Sequence, residues 1–485
     1  MEHYNLCVIG GGPAGYAAAM RAVDFDRSVL LLESDRIGGV GLYNGALSSK
    51  TFWELSKEIA QIRTRFAAYH EVLPEVHFGS VLKETDEAVF ERSAQMEEHL
   101  RLVGAEHGDR FRFVRGSGCL LSPTEIEVRG DFDPFTVQAD HTIIATGSRP
   151  RKLPNVPIDE HIILTSDGIG SLRDFPDSLV IIGAGVIGCE FATIFSNFGK
   201  TRVHLVAKDD RILPFEDPEL STVIEQNMIA KGVVIHRNAR LEEMDIVEGR
   251  VAYKLSHADG TTEEFETEKA LISIGRVPNI ENTGIRELGV DLDRGGAIDD
   301  QQTQTSISNI YAVGDITADI ALVNVGELEG RYAVERIFGQ PDRPLIYENI
   351  STIMFLDPEV AGVGMNEQQA QKAGIAYRSA SFDFRCVPRA IAMRKTQGFF
   401  KILVSDDEAM RILGMRALGE HASTAIQAVS LLISMNRGIR ELAELIHPHP
   451  SIIEGIQECA RMLLGTSIYK PHLFPQHLHS RHWRG

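Results

Sequence analysis

Three glycines spaced as Gly10, Gly12 and Gly15, in the run GGGPAG, are residues whose type and spacing point to phosphate chemistry. They follow an apolar run of strand length, Leu6 to Gly10, and precede an alanine-rich helical stretch, Tyr16 to Ala22. A second apolar run, Ser28 to Leu32, ends in Glu33. In that order the first glycine makes a tight turn, the second lets a pyrophosphate approach the backbone, and the third lets a helix pack on a strand. The helix N-terminal amides then face the phosphates. Glu33, 18 residues beyond Gly15, is placed to accept hydrogen bonds from a ribose. Strand, glycine turn, helix, strand and terminal acid together predict a dinucleotide site held by a Rossmann βαβ unit.

The pattern returns in SLVIIGAGVIG, with Gly183, Gly185 and Gly188, and a following strand from Thr201 to Val206 that ends at Ala207 and Lys208. A carboxylate at that point would bond a ribose 2′-hydroxyl and repel a 2′-phosphate. Ala207 removes the repulsion and Lys208 offers a cation, so this unit is expected to take NAD(P)H, with NADPH favoured over NADH. A third element, TSISNIYAVGDIT, carries a short apolar strand ending in Gly314 and Asp315. Asp315 at a strand's C-terminal edge is placed to accept hydrogen bonds from the ribityl chain of FAD, which assigns FAD to the first unit. The segments IIATGSRP and ISIGRVPN bracket the second unit, so it is inserted inside the first domain. Thr146 and Gly147 are assigned to FAD, and Gly275 to the nicotinamide nucleotide.

At 485 residues the chain is too long for one core and predicts about three domains. A net charge of -19 argues against a nucleic-acid partner, because phosphate backbones require clustered Lys and Arg. No apolar run reaches the roughly 18 residues that a membrane span needs. The N-terminus enters a strand without a basic region or a small-residue cleavage site, so a cytoplasmic protein is expected. Cys7, Cys119, Cys189, Cys386 and Cys459 are odd in number and far apart, giving neither a disulfide framework nor a metal site.

The motifs GGGPAG, ATGSRP, GAGVIGCE, GRVPN and AVGDI, with FLDPEVAGVG at Phe355 to Gly364 and HPHPSIIE at His447 to Glu454, occur in one order along nearly the whole chain. In this it resembles the pyridine nucleotide-disulfide oxidoreductases, the family of dihydrolipoamide dehydrogenase, glutathione reductase, mercuric reductase and soluble transhydrogenase. The resemblance implies an α/β fold with two Rossmann-type domains, the second inserted in the first, and a C-terminal α+β dimerisation domain. The FAD domain is expected at 1–150 and 276–345, the NAD(P) domain at 151–275, and the interface domain, with a C-terminal tail, at 346–485. A homodimer whose site is completed by the partner chain is also implied. Lys50 matches the family lysine near flavin N5, where an ammonium stabilises negative charge on the ring, and Glu190 matches the acid that pairs with it. His449 and Glu454 match the family's proton-transfer histidine and the acid that orients it.

One segment departs from the family. In GGVGLYNGALSSK, Gly38 to Lys50, Gly41 and Ala46 stand where the family carries two cysteines. Disulfide exchange requires a thiolate, and neither residue supplies one. Cys459 lies about 140° round a helix from Glu454, mostly off its face. If the backbone keeps the family's course, the lost side chains open a pocket walled by Tyr43, Asn44 and Trp53. The tail YKPHLFPQHLHSRHWRG, with His472, His477, His479 and His482, reads as an extended segment lying on the dimer partner.

Three functions follow as alternatives. The first is an FAD-dependent NAD(P)H oxidoreductase that passes electrons to a small non-disulfide acceptor, such as a quinone, a second nicotinamide, oxygen or a metal ion. The second is a flavoprotein sensor of redox state or nucleotide. The third is a dihydrolipoamide dehydrogenase-type reductase using other cysteines.

Overall fold

Two five-residue strands have no exposed position: Val29–Glu33, which lies between two parallel neighbours, and Ser178–Ile182, which is parallel to Arg202–Val206. Continuous apolar runs of this length suit strands covered on both faces. The computed structural model describes residues 1–66, 69, 75–317 and 319–485.

Met1–Leu55, Pro74–Phe175 and Ile272–Leu345 form one compact unit, and Ser56–Leu73, Pro176–Leu271 and Ile346–Gly485 form the other. The sequence reading divides the chain into three domains. In the structure, residues 151–175 group with the first nucleotide motif, and the second nucleotide motif groups with the C-terminal residues.

In the first unit the strands run in the order Phe111–Arg115, Val29–Glu33, Glu2–Ile9, Phe132–Ile144, Glu125–Gly130 and Ser117–Leu120. The pairings among the first four are parallel, and those to the last two are antiparallel. Ile310–Ala312 adds a parallel strand against Phe132–Ile144, with Ile310 opposite Thr142. That pairing brings the AVGDI motif beside the glycine turn it follows by about 300 residues in sequence. Ser148–Pro150 and Arg276–Pro278 pair as a two-stranded antiparallel ribbon, which closes the two ends of the insertion on each other.

In the second unit Val234–His236, Arg202–Val206 and Ser178–Ile182 are parallel neighbours. Ala239–Val247, Arg250–His257 and Thr262–Thr267 form an antiparallel meander. A six-stranded antiparallel sheet runs Ser351–Met354, Val360–Gly364, Ile412–Leu418, Phe399–Ser405, Tyr377–Asp383 and Leu478–Trp483. The last strand corrects the reading of the tail as an extended segment on a partner. Leu478–Trp483 pairs in register with Tyr377–Asp383 of its own chain, and Trp483 stacks on Tyr377 at 5.6 Å. Leu478 and Trp483 are five residues apart and so lie on opposite faces of the strand, which leaves no alternating apolar pattern to read in the sequence.

Buried charges join the two halves of the second unit. Arg416 Nε donates to both Glu216 oxygens at 3.0 and 2.8 Å, and each side chain is 7% exposed. Lys401, 4% exposed, is ringed by Asp217, Glu219 and Glu367, the last at 3.1 Å. Burial works against the Lys401 charge, but Glu219, Asp217 and Glu367 outweigh it and hold its pKa above the ordinary lysine value.

Removing that cation leaves buried Asp217 without its counter-ion, which costs about 3–5 kcal/mol. Lys401→Met is therefore expected to lower the thermal midpoint clearly at neutral pH. A raised lysine pKa contributes stability below its unfolded value and loses it as pH climbs through the folded value. The gap between wild type and variant should thus hold steady up to about pH 10 and shrink above it, as read by melting curves across pH.

Candidate active site

Local geometry at the first glycine turn follows the roles of its three residues. Gly10 has φ of 111°, a left-handed conformation, and a Cβ there would lie 2.3 Å from the Ala145 carbonyl oxygen. At Gly15 a Cβ would stand 1.9 Å from the Gly10 oxygen, so only a hydrogen lets the helix Pro13–Asp24 approach its strand. Gly12 faces open space, with no atom within 4 Å of a Cβ, and caps the helix without a side-chain acceptor. Uncapped N–H groups beside an open glycine suit a phosphate. Glu33 accepts from Gly11 N–H at 2.7 Å and from Asp35 N–H at 2.8 Å, which fixes its carboxylate at the end of the second strand. Burial pushes the Glu33 carboxyl up, against the pull of the Asp35 and Gly11 amides.

The segment carrying Lys50 lies directly on this turn. Gly38 N–H donates to the Gly11 oxygen at 2.9 Å, and Gly41 faces the Pro13 ring. A Cβ at Gly41 would meet Pro13 Cγ at 2.7 Å and Val323 Cγ2 at 3.4 Å. On that side a side chain at Gly41 would find no room, so no hollow opens against Pro13 and Val323. Trp53 is 1% exposed within the helix Ala46–Phe66, and the Arg36 guanidinium lies 3.8 Å over the Tyr43 ring. Neither ring wall stands free. Ala46 begins the helix that carries Lys50, whose Nζ donates to Ser49 Oγ at 3.2 Å.

At the far edge of the same sheet Asp315 accepts from Ser148 Oγ at 2.6 Å, and Arg276 donates to that hydroxyl at 2.7 Å. Thr146 Oγ1 donates to Asn279 O at 2.7 Å. Gly147 has open space at its Cβ position, as does Gly275, whose oxygen accepts Arg151 N–H at 2.9 Å. The first unit thus gathers Gly10, Gly12, Gly15, Glu33, Lys50, Thr146, Gly147 and Asp315, and it also contains Gly275. Sequence reasoning missed Ser148 and Arg276 as the frame of Asp315, although both sit inside quoted motifs. It also missed Glu329, 2% exposed, which accepts Gly314 N–H at 2.7 Å. A single acid in a charged helix carries no signal for that.

The second unit repeats the turn. Gly183 has φ of 110°, Gly185 caps the helix Val186–Phe198 with open space at its Cβ position, and Gly188 is buried in the helix. Glu190, 6% exposed on that helix, accepts Phe355 N–H at 3.0 Å. Ala207 is buried and Lys208 exposed at the end of Arg202–Val206. His449 Nδ1 lies 2.7 Å from Glu454 Oε1, and Ser451 N–H donates to the other oxygen at 2.9 Å. A carboxylate only accepts, so Nδ1 carries the proton and Nε2 the lone pair. The His449 side chain is 69% exposed.

All five cysteines are free. Cys7, Cys189 and Cys459 are buried, and burial pushes the Cys7 thiol up to about 12 and the other two also upward. Among the described residues no helix is long and apolar enough to cross a membrane.

Residues 4–330 match the family described as pyridine nucleotide-disulphide oxidoreductase, and residues 350–460 match its dimerisation domain. The chain belongs to this family. A dihydrolipoyl dehydrogenase of Chlamydia muridarum is 32% identical over 475 residues, covering 97% of this chain and 99% of the relative. One from Geobacillus stearothermophilus is 32% identical, covering 95% and 96%. Among solved structures, LpdA from Mycobacterium tuberculosis superposes with a TM-score of 0.86 at 27% identity, covering 96% of this chain and all of that one. As a pyridine nucleotide oxidoreductase the protein is an FAD-containing enzyme that uses NAD(P)H, and its dimerisation domain supports a homodimer. The two open glycine turns fit two dinucleotides.

Gly12→Ala meets no atom of the protein and is expected to keep the thermal midpoint of the FAD-free chain while lowering the flavin retained through gel filtration. Gly15→Ala collides with backbone and should lower the FAD-free midpoint itself. Flavin absorbance per protein and the two melting curves distinguish these outcomes.

Proposed function

We propose that this enzyme passes electrons from NADPH through FAD to a small acceptor that is not a disulfide. The observation that carries the proposal is the segment Gly38 to Lys50, where Gly41 and Ala46 leave no thiol on the element that lies over the nucleotide turn. The remaining thiols give no substitute. Three are buried with their pKa values raised, and burial also raises those of the half-buried Cys119 and Cys386. Thiolate is the nucleophile in exchange, and raising the pKa removes it at neutral pH.

In this reading residues 1–150 and 276–345 hold FAD through Gly10, Gly12, Gly15, Glu33, Thr146, Gly147 and Asp315. Residues 151–275 hold the nicotinamide nucleotide through Gly183, Gly185, Gly188 and Lys208, with Gly275 at the junction. Bound FAD supplies a centre that takes two electrons from a nicotinamide and releases them singly or in pairs. Lys50 contributes a cation where negative charge grows, and Glu190, on the helix of the second glycine turn, contributes a carboxylate to transfer from the nicotinamide. Ala207 and Lys208 favour a 2′-phosphate by withholding a carboxylate and presenting an ammonium. His449, with its tautomer set by Glu454, delivers a proton to the reduced acceptor from the Nε2 side once protonated. Quinone, a second nicotinamide, oxygen and a metal ion are the acceptor classes that need no thiol.

Anaerobic titration tests this reading. NADPH is expected to bleach the flavin band without the long-wavelength band of a thiolate beside flavin, and lipoamide should give no turnover at a dehydrogenase's rate. Normal lipoamide turnover would sink the proposal. Lys208→Glu should raise the KM for NADPH at least tenfold and leave that for NADH nearly unchanged.

For the proton-transfer role, His449→Gln should leave flavin reduction by NADPH at its wild-type rate and slow reoxidation by a quinone about 10²-fold. Stopped-flow measurement of the two half-reactions separates them.

A further inference from the structure

Glu190 is held by a part of the chain that the glycine motifs do not mark. Its Oε1 accepts the backbone N–H of Phe355 at 3.0 Å, and Phe355 follows the strand Ser351–Met354 of the C-terminal sheet. Two residues on, Asp357 is bound back to the nucleotide-binding part of the same unit. Its carbonyl oxygen accepts from Asn227 Nδ2, and its carboxylate pairs with Lys231. Lys231 Nζ also donates to Asn197 Oδ1 at 2.6 Å. Asn197 is 2% exposed and sits on the helix Val186–Phe198 that carries Glu190.

The helix therefore meets this short segment at two points. Glu190 and Asn197 are seven residues apart, two turns or about 10.5 Å along the axis on one face. Phe355 to Asp357 is two residue steps, about 7 Å when extended. The long Lys231 side chain bridges the remainder. With both ends bound, the Phe355 amide cannot slide along the helix without breaking an ion pair or a hydrogen bond to buried Asn197. A glutamate has three rotatable side-chain bonds, so a fixed donor at one oxygen selects a single placement of the carboxylate.

We propose that Lys231 and Asp357 are positioning residues for Glu190, acting through the backbone N–H of Phe355. The proposal rests on the reading above in which Glu190 serves transfer from the nicotinamide to FAD. Displacement of about 1 Å in a group at the reacting centre costs up to 10²-fold in rate, whereas nucleotide affinity depends mainly on the glycine turn and Lys208. Loss of the clamp should thus appear in the rate and spare the binding.

The test uses holoenzyme variants with two readouts, stopped-flow flavin reduction by NADPH and hydrogen exchange of the peptide containing Phe355. Lys231→Met is expected to slow reduction about tenfold at saturating NADPH, to leave the Kd for NADPH within twofold, and to speed exchange at Phe355. Lys231→Arg should restore both. Asn227→Ala, which removes one neutral bond to Asp357, should shift both readouts in the same direction by a smaller factor and serves if the methionine variant does not fold. Wild-type reduction rates alongside faster exchange, or unchanged exchange in either loss variant, would overturn the proposal. Glu190→Gln is measured in parallel. If it reduces flavin at the wild-type rate the underlying role of Glu190 fails, whereas slow reduction there with wild-type rates in Lys231→Met removes only the clamp.

Discussion

The constraint on which the FAD-assigned part depends is the approach of a helix to its own strand at the first glycine turn. A Cβ at Gly15 would sit 1.9 Å from the Gly10 carbonyl oxygen, and one at Gly10 would sit 2.3 Å from Ala145. Only hydrogen fits at both points, and because it fits, the helix Pro13–Asp24 directs its uncapped amides into the open space at Gly12. Everything assigned to FAD is built outwards from that turn. Glu33 is anchored to its Gly11 amide, the Gly38 amide to its Gly11 carbonyl, and the helix bearing Lys50 follows from there. A parallel strand formed far later in the chain, Ile310–Ala312, brings Asp315 to the same sheet.

The second unit uses the same turn but is held together differently. Its nucleotide-binding and C-terminal parts are joined by buried ions, Glu216 with Arg416 and three acids with Lys401. Such pairs are weak sources of net stability but strongly penalise any arrangement that separates the partners, because each would then be a lone buried charge. They fix the loop after Lys208 against the C-terminal sheet within this unit, and the Phe355 to Asp357 segment makes a further attachment at Glu190. Placement of Glu190 is therefore a property of the whole second unit.

The segment that carries Gly41 and Ala46 has no thiol side chains. Gly41 does not leave a void in their place, since Pro13 and Val323 close on it, and Tyr43 is covered by Arg36. Packing fills the space at Gly41, and the His449 imidazole is bound to Glu454. For the proposed acceptor, which needs electrons and a proton without covalent exchange, charged groups and an oriented imidazole are chemically sufficient.

Much of this was legible in the residues. The two glycine turns, their strands and helices and the carboxylate at Glu33 follow from local rules, because a phosphate-binding turn is made by consecutive residues and its steric demands are met by hydrogen at named positions. The absence of thiols at Gly41 and Ala46 is likewise a statement about residue types. Tertiary structure alone decided what depends on atoms brought together from afar. It closed the space at Gly41 with Pro13 and Val323, folded the histidine-rich tail back as a sheet strand against Tyr377, framed Asp315 with Ser148 and Arg276, and placed the Phe355 amide on Glu190. Packing, strand pairing and the satisfaction of buried charge are set by neighbours in space, and a sequence records those only after the chain has chosen its fold.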